Sequence, residues 1–315
     1  MRVAVAGGAG FIGRTMCLKL LDRGDEVICI DNLVTGSTEH VKELSVHAAF
    51  SFIETDVSAG VDIAGPLDAV INLASPASPA DFGPLSLEIL RVGSSGVANL
   101  LELARQHHAR FLQASTSEVY GDPAIHPQPE SYWGNVNPIG PRSVYDEAKR
   151  FGEALTMAYH RRYGLEVRIA RIFNTYGPGM RLDDGRVVSN FVTQALRGMP
   201  LTVYGDGSQT RSLCFVEDEV DGLLALLASG YGSPVNVGSD DERTVKEIAE
   251  LVIELTGSES EITYSPRPEN DPAQRRPDLT IAEREIGWKP SMPVRDGLVA
   301  TVDWFKCRLA FDPTS

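Results

Sequence analysis

The chain has 315 residues, 43% hydrophobic and 23% charged, the composition of a globular protein long enough for its core to divide into two lobes. Its net charge of −14 argues against nucleic acid as a partner, because phosphate binding needs a basic footprint; a small anionic ligand held by a few local arginines stays open. No apolar run approaches the roughly 18 residues needed to cross a bilayer, and no leader precedes the first predicted strand, so the expectation is a cytoplasmic protein with no membrane partner. Cys17, Cys29, Cys214 and Cys307 form no C-x-x-C pair and no histidine cluster lies near them; they read as inert thiols, and no metal site is expected.

In chain order, Arg2–Ala6 is a short apolar strand ended by glycines. Phe11–Arg23 has helical spacing, with Ile12, Met16 and Leu20 on one face. Glu26–Asp31, Phe50–Glu54, Ala69–Asn72 and Arg110–Ala114 read as further strands. A long helical segment runs through Tyr163, followed by a strand over Leu165–Ile172. Strands alternating with helices predict βαβ units and an α/β fold with a doubly wound parallel sheet, helices on both faces.

After Phe173 the texture changes. Asn174–Gly185 is rich in Gly, Pro and Asp and reads as loop. Val187–Arg197 looks helical, Val235–Val237 extended, and Thr244–Leu255 and Thr280–Ile286 helical. Ser265–Pro277, with its prolines, reads as an extended loop. We expect a dinucleotide-binding domain over 1–173 and about 212–238, and a smaller α/β substrate lobe over about 174–211 and 239–315. Any flexible tail is confined to the last few residues.

Gly7, Gly10 and Gly13 follow the first strand and open the first helix as G-x-x-G-x-x-G, with Phe11 and Ile12 between them. Gly7 permits the turn, Gly10 lets backbone approach a pyrophosphate, and Gly13 lets helix and strand pack closely. The helix N-terminus offers free N–H groups and a positive dipole end. A glycine motif alone is weak, but Asp31 closes the second strand at the spacing of a ribose-binding carboxylate. A carboxylate there accepts from a 2′-hydroxyl and repels a 2′-phosphate. Asn32, Thr35 and Gly36 follow it without an arginine, which favours NAD over NADP. Asp56 and Val57, after the third strand, read equally well as an adenine cover or as a strand-end turn.

Tyr145 and Lys149 stand four apart, on one face if helical. The pairing predicts a phenol whose pKa falls beside an ammonium, fit to serve as a general base, while the lysine also holds the cofactor's ribose. Y-x-x-x-K alone usually marks a solvated helix face. It gains force from Thr116, Ser117 and Glu118 at the end of a predicted strand, where a doubly wound sheet forms its ligand crevice. Thr116 can donate to a reacting oxygen, and Glu118 can serve acid–base chemistry or order water.

The stretches LASPASP (73–79), ASTSEVYGDP (114–123), HPQPESYWGNVNPIGPRSVYDEAKR (126–150), RIARIFNTYGPGM (168–180), DGRVVSNF (184–191), PLTVYGDGSQTRS (200–212) and RRPD (275–278) together resemble the extended short-chain dehydrogenase/reductase family of nucleotide-sugar enzymes. The resemblance covers nearly the whole chain. It implies a Rossmann-like fold, NAD as cofactor, and Thr116, Glu118, Tyr145 and Lys149 as catalytic residues. Leu73, Ala74 and Ser75 would join the cofactor site. Pro76, Ser117, Glu118, Asn174, Arg186, Val188, Tyr204, Gln209, Arg211 and Arg275 would surround a UDP-sugar, with Arg211 and Arg275 near the diphosphate. It also implies a homodimer paired through helices around Val97–Arg105 and Val144–Tyr163. Gly93-Ser94-Ser95-Gly96 departs from the family's Asn-x-x-Gly segment.

The branch the motifs match best decarboxylates UDP-glucuronate to UDP-xylose through a transient 4-ketone. The alternatives are a nucleotide-sugar 4,6-dehydratase and a 4-epimerase. A dehydratase needs an acid to expel the C6 hydroxyl, and Ser117 stands where its aspartate would be. An epimerase typically lacks the carboxylate at Glu118. A non-catalytic NAD sensor would not need both Tyr145 and Lys149.

Overall fold

The computed structural model of the chain describes residues 1–310; the expected tail falls on 311–315, outside them. The first half runs β1 (Arg2–Ala6), α1 (Phe11–Asp22), β2 (Glu26–Asp31), α2 (Thr38–Leu44), β3 (Phe50–Glu54), β4 (Ala69–Asn72), α3 (Ser86–Arg91), α4 (Val97–His107), β5 (Arg110–Thr116), α5 (Ser143–Tyr163) and β6 (Val167–Ile172). There follow β7 (Thr175–Tyr176), α6 (Val187–Leu196), β8 (Leu201–Tyr204), β9 (Thr210–Ser212), β10 (Cys214–Phe215), α7 (Val216–Ala228), β11 (Pro234–Val237), β12 (Glu242–Thr244), α8 (Val245–Thr256), β13 (Ile262–Ser265), α9 (Thr280–Ile286) and α10 (Val294–Ala310).

Seven strands form one sheet in the order β11-β6-β5-β4-β1-β2-β3, every neighbouring pair parallel. The doubly wound sheet expected from the alternation is therefore present. Its central strands β1, β2, β4 and β5 are buried on both faces and three of them read as near-continuous apolar runs, while edge strand β3 is partly exposed. In β1, Val3 and Val5 face a core with Met16 and Leu20 of α1 and Val220 and Leu223 of α7. Ala4 and Ala6 face the opposite core with Leu100 and Leu101 of α4. The strand order reverses between β1 and β4, which places the ligand crevice at the carboxyl ends of these strands.

A second core joins α6, β8, α8 and α10 through Val188, Phe191, Leu201, Ile248, Val252, Leu298 and Phe305. The helices α2, α7 and α10 and the short strands β8, β9, β10, β12 and β13 went unread in the sequence. The predicted loop over Asn174–Gly185 contains β7, which pairs with β10, and α1 ends at Asp22 with Arg23 as its cap. Of the segment expected in the smaller lobe, Leu279, Ala282 and Trp288 pack instead in the first core.

Candidate active site

The turn after β1 is built as its glycines require. Gly7 has φ +78°, a region that disfavours side chains. A Cβ on Gly13 would lie 2.0 Å from the Gly7 carbonyl oxygen, and one on Gly7 would lie 2.7 Å from the Ala74 nitrogen. Helix α1 therefore starts tight against the sheet, with Gly10 as its N-cap, no side-chain cap and no acid in its first turn. Its N–H groups remain free for an anion. Asp31 ends β2 beside this turn and accepts from the backbone N–H groups of Ala9 (3.1 Å) and Leu33 (2.9 Å). Burial nudges its carboxyl upward against these bonds. Gly36 approaches so closely that a Cβ there would stand 2.7 Å from Asp31 Oδ1. This bare helix end, the glycine cradle and the adjacent carboxylate fit a dinucleotide.

Strand β5 runs two residues past its predicted end and delivers Thr116, Ser117 and Glu118 to the crevice. Thr116 Oγ1 accepts from the Glu118 N–H at 3.2 Å. Tyr145 and Lys149 project from one face of α5 into the same cavity. Phe82 stacks on the Tyr145 ring at 5.0 Å. The expected lowering of the tyrosine pKa does not appear. Burial pushes the phenol above its ordinary value, Glu118's charge adds to this, and a hydrogen bond with Thr116 opposes it. Lys149 Nζ instead donates to the Ala114 carbonyl at 3.0 Å, and burial draws its pKa down to about 8.

Glu118 is the electrostatic centre of the cavity. Arg275 binds it in a fork, Nη1 to Oε1 and Nη2 to Oε2, both at 2.8 Å. Arg142, one residue ahead of α5, pairs with Oε2 at 2.8 Å. Burial alone would raise the carboxyl, but the two guanidinium charges outweigh it and hold it at about 2. Arg275 also reaches Asn174 Oδ1 at 3.3 Å. It therefore sits at the Tyr145 end of the cavity. Arg211 is further off, held by Asp271 (2.9 Å) and the Pro272 carbonyl (3.1 Å); burial, then Arg275's charge, lowers it to about 10.

The cavity brings together Gly7, Gly10, Phe11, Ile12, Gly13, Thr35, Leu73 and Ser75 on one side, Thr116, Ser117, Glu118, Tyr145 and Lys149 at its floor, and Asn174, Arg186, Val188, Tyr204, Gln209, Arg211 and Arg275 on the other. Asp31, Asn32, Gly36, Asp56, Val57, Ala74 and Pro76 do not line it. Asn32 caps its own turn through the Val34 N–H, Asp56 caps the turn at Val57, and Val57 is buried against Val97. Arg186 forks onto Asp184 and lies over the Phe11 ring. Arg142 and Phe82 were missed. Arg142 stands inside the 126–150 motif, three residues before Tyr145, so its spacing was a usable signal; Phe82 carried none. Asp146, next to Tyr145, is buried with Oδ1 unpartnered; burial, then Glu118's charge, pushes it up to about 7.

A parallel seven-stranded sheet, a glycine cradle at its switch point and a Tyr/Lys pair on the next crevice wall define a dinucleotide-dependent, dehydrogenase-like class. The chain belongs to the NAD dependent epimerase/dehydratase family, whose model matches residues 3–238. Its sequence is similar to UDP-glucuronic acid decarboxylase 5 of Arabidopsis thaliana, 49% identical over 98% of this chain and 90% of that one. It is also similar to UDP-glucuronic acid decarboxylase 1 of Danio rerio, 47% identical over 98% and 73%. Among solved structures it resembles the UDP-glucuronic acid 4-epimerase of Bacillus cereus with UDP-glucuronic acid and NAD, with TM-score 0.88 and 27% identity over 98% of this chain and 100% of that one.

Proposed function

We propose that the chain decarboxylates UDP-glucuronate to UDP-xylose. The observation that carries this is Glu118, held ionised by Arg275 and Arg142 beside Thr116 and Tyr145. A carboxylate held ionised by two guanidiniums is not the acid that a departing C6 hydroxyl needs, and neither is Ser117, which disfavours a dehydratase. Loss of CO₂ from C5 needs no such acid once C4 is a ketone.

Gly7, Gly10, Gly13 and Asp31 would hold NAD at the α1 N-terminus, with Thr35, Leu73, Ser75 and Lys149 along it. When bound, NAD supplies the acceptor for the C4 hydride and returns that hydride to the same carbon, so it is not consumed. Tyr145, with Thr116, takes the proton from the 4-hydroxyl and later gives it back. The electrons of the broken C5–C6 bond pass into the C4 oxygen as an enolate. Glu118 orders the water that delivers one proton to C5. The surplus charge of Arg142 and Arg275 over Glu118 suits a substrate carboxylate. Arg211, Gln209 and Tyr204 would hold the UDP end.

Incubation with UDP-glucuronate in D₂O tests this. Expected are CO₂ and UDP-xylose with one deuterium at C5 and none at C4. Retention of the carboxylate with inversion at C4 would mean an epimerase; a 4-keto-6-deoxy sugar from a nucleotide-glucose, with UDP-glucuronate inert, would mean a dehydratase.

Leu87 and Leu90 of α3 and Phe151 and Tyr163 of α5 are exposed, which supports a homodimer through this helical face; light scattering at a monomer's mass would remove it. Four free cysteines support a reducing, cytoplasmic setting.

A further inference from the structure

We propose that Gln128 is the positioning residue that sets Arg275 against Glu118, an inference that rests on the decarboxylase reading. Arg275 lies in a segment, 266–279, without helix or strand of its own apart from one isolated bridge at Pro277. Something outside that segment must hold the guanidinium still. On its N-terminal side the hold comes from Asp122, which accepts from the Ala273 N–H, and from the Thr210 N–H, which donates to the Ala273 carbonyl. On its C-terminal side the hold is Gln128.

Gln128 has no exposed surface and is not among the cavity residues, so it touches no substrate. Both its backbone and its side chain grip the three residues after Arg275. Its N–H donates to the Arg276 carbonyl at 2.9 Å and its carbonyl accepts from the Asp278 N–H at 3.0 Å. Its side-chain Oε1 accepts from the Arg276 N–H at 2.8 Å. Nε2 donates to the Ile125 carbonyl at 3.0 Å and meets His126 Nδ1 at 3.2 Å, which orients the amide. The grip is tied to the sheet: Asn236 of β11 donates to the carbonyls of Gln128 (2.9 Å) and Asp278 (3.1 Å), and its own Oδ1 accepts from Tyr120 at 2.7 Å. Of the hydrogen bonds Gln128 makes to this segment, the one to the Arg276 N–H comes from its side chain and so is the one a substitution removes. Displacing a charged group by about 1 Å can cost about 10²-fold in rate, so losing this bond should register in turnover.

The test compares Gln128→Met, which keeps the shape and removes the amide, with Gln128→Asn, which withdraws the amide by one methylene. Expected is a loss of kcat on UDP-glucuronate of about tenfold or more, with NAD and UDP affinities by calorimetry within about twofold of wild type. In an Arg275→Lys background, Gln128→Met should cost less than about twofold further, because its effect passes through Arg275. Full activity in a folded variant, additive losses in the double variant, or a parallel loss of UDP affinity would each overturn the role. If Gln128→Met does not fold, Gln128→Asn carries the same comparison. Failure of the wild type to release CO₂ removes the decarboxylase reading and this inference together; an active wild type with unaffected variants removes only Gln128.

Discussion

At the scale of single residues, Tyr145 and Asp146 are neighbours with opposite duties. Tyr145→Phe deletes one hydroxyl and little volume, so fold and NAD binding should persist while turnover falls by about 10²–10⁴-fold; a near wild-type rate would place the base elsewhere. Asp146 governs stability. Its folded pKa, about 7, lies above the ordinary 3.8, so the folded protein holds this proton more tightly than the unfolded chain. The stabilisation is complete below about pH 4 and is lost as pH rises through about 7. Asp146→Asn, which imitates the neutral acid, should therefore come closest to wild type near pH 4 and pull ahead as pH rises, by on the order of 4 kcal/mol near pH 8; denaturant melts at both pH values decide it. Glu118 has the opposite sign: held at about 2, it stabilises above its ordinary range and loses that only in strong acid. The Tyr/Lys spacing was readable in the sequence. The lifted phenol and the clamped Glu118 were not, because the first comes from burial and Glu118's charge and the second from guanidiniums brought from 142 and 275.

At the scale of elements, the unusual Gly93-Ser94-Ser95-Gly96 segment falls in a wide π-helical turn, Val92–Gly96, joining α3 to α4. A Cβ on Gly93 would lie 2.6 Å from Ala148 Cβ, and Ala148 sits on α5 beside Lys149. Such turns often mark functional sites, and here it lets α3 close on the back of the catalytic helix. Gly93→Ala should cost about 1–3 kcal/mol as overpacking and slow turnover by moving α5. Gly83→Ala, where a Cβ meets nothing within 4 Å, is the control and should change neither. Equal melts for the two variants would remove the contact. Period and glycine placement gave the strands of the central sheet but not the helices α2 and α7 that pack beside them. The helix α10 was missed because Gly297 and Thr301 interrupt the apolar residues of its buried face.

At the scale of the whole molecule, the cavity lies between the sheet's carboxyl edge and the second core, so its two ligands divide between the two. NAD would rest mainly on the first, the nucleotide-sugar mainly on the second. Arg211→Ala should therefore weaken UDP binding by about 1.5–3 kcal/mol and leave NAD affinity unchanged, both read by calorimetry. Unchanged UDP affinity would move the nucleotide away from β9. UDP should also raise the melting temperature in a concentration-dependent way, since it binds only the folded pair of cores.

What the sequence by itself determined is local. Apolar runs fix strands, glycine spacing fixes the turn after β1, and a four-residue step puts Tyr145 and Lys149 on one helix face, because each depends on a few bonded neighbours. The tertiary structure alone decided which charges meet. Glu118 and Arg275 are separated by 157 residues, half the chain, yet bury together at 2.8 Å, and Gln128 reaches across the fold to hold the backbone beside them. The strength of such pairs comes from distance and burial, and neither is set until the sheet and the second core have closed on one another.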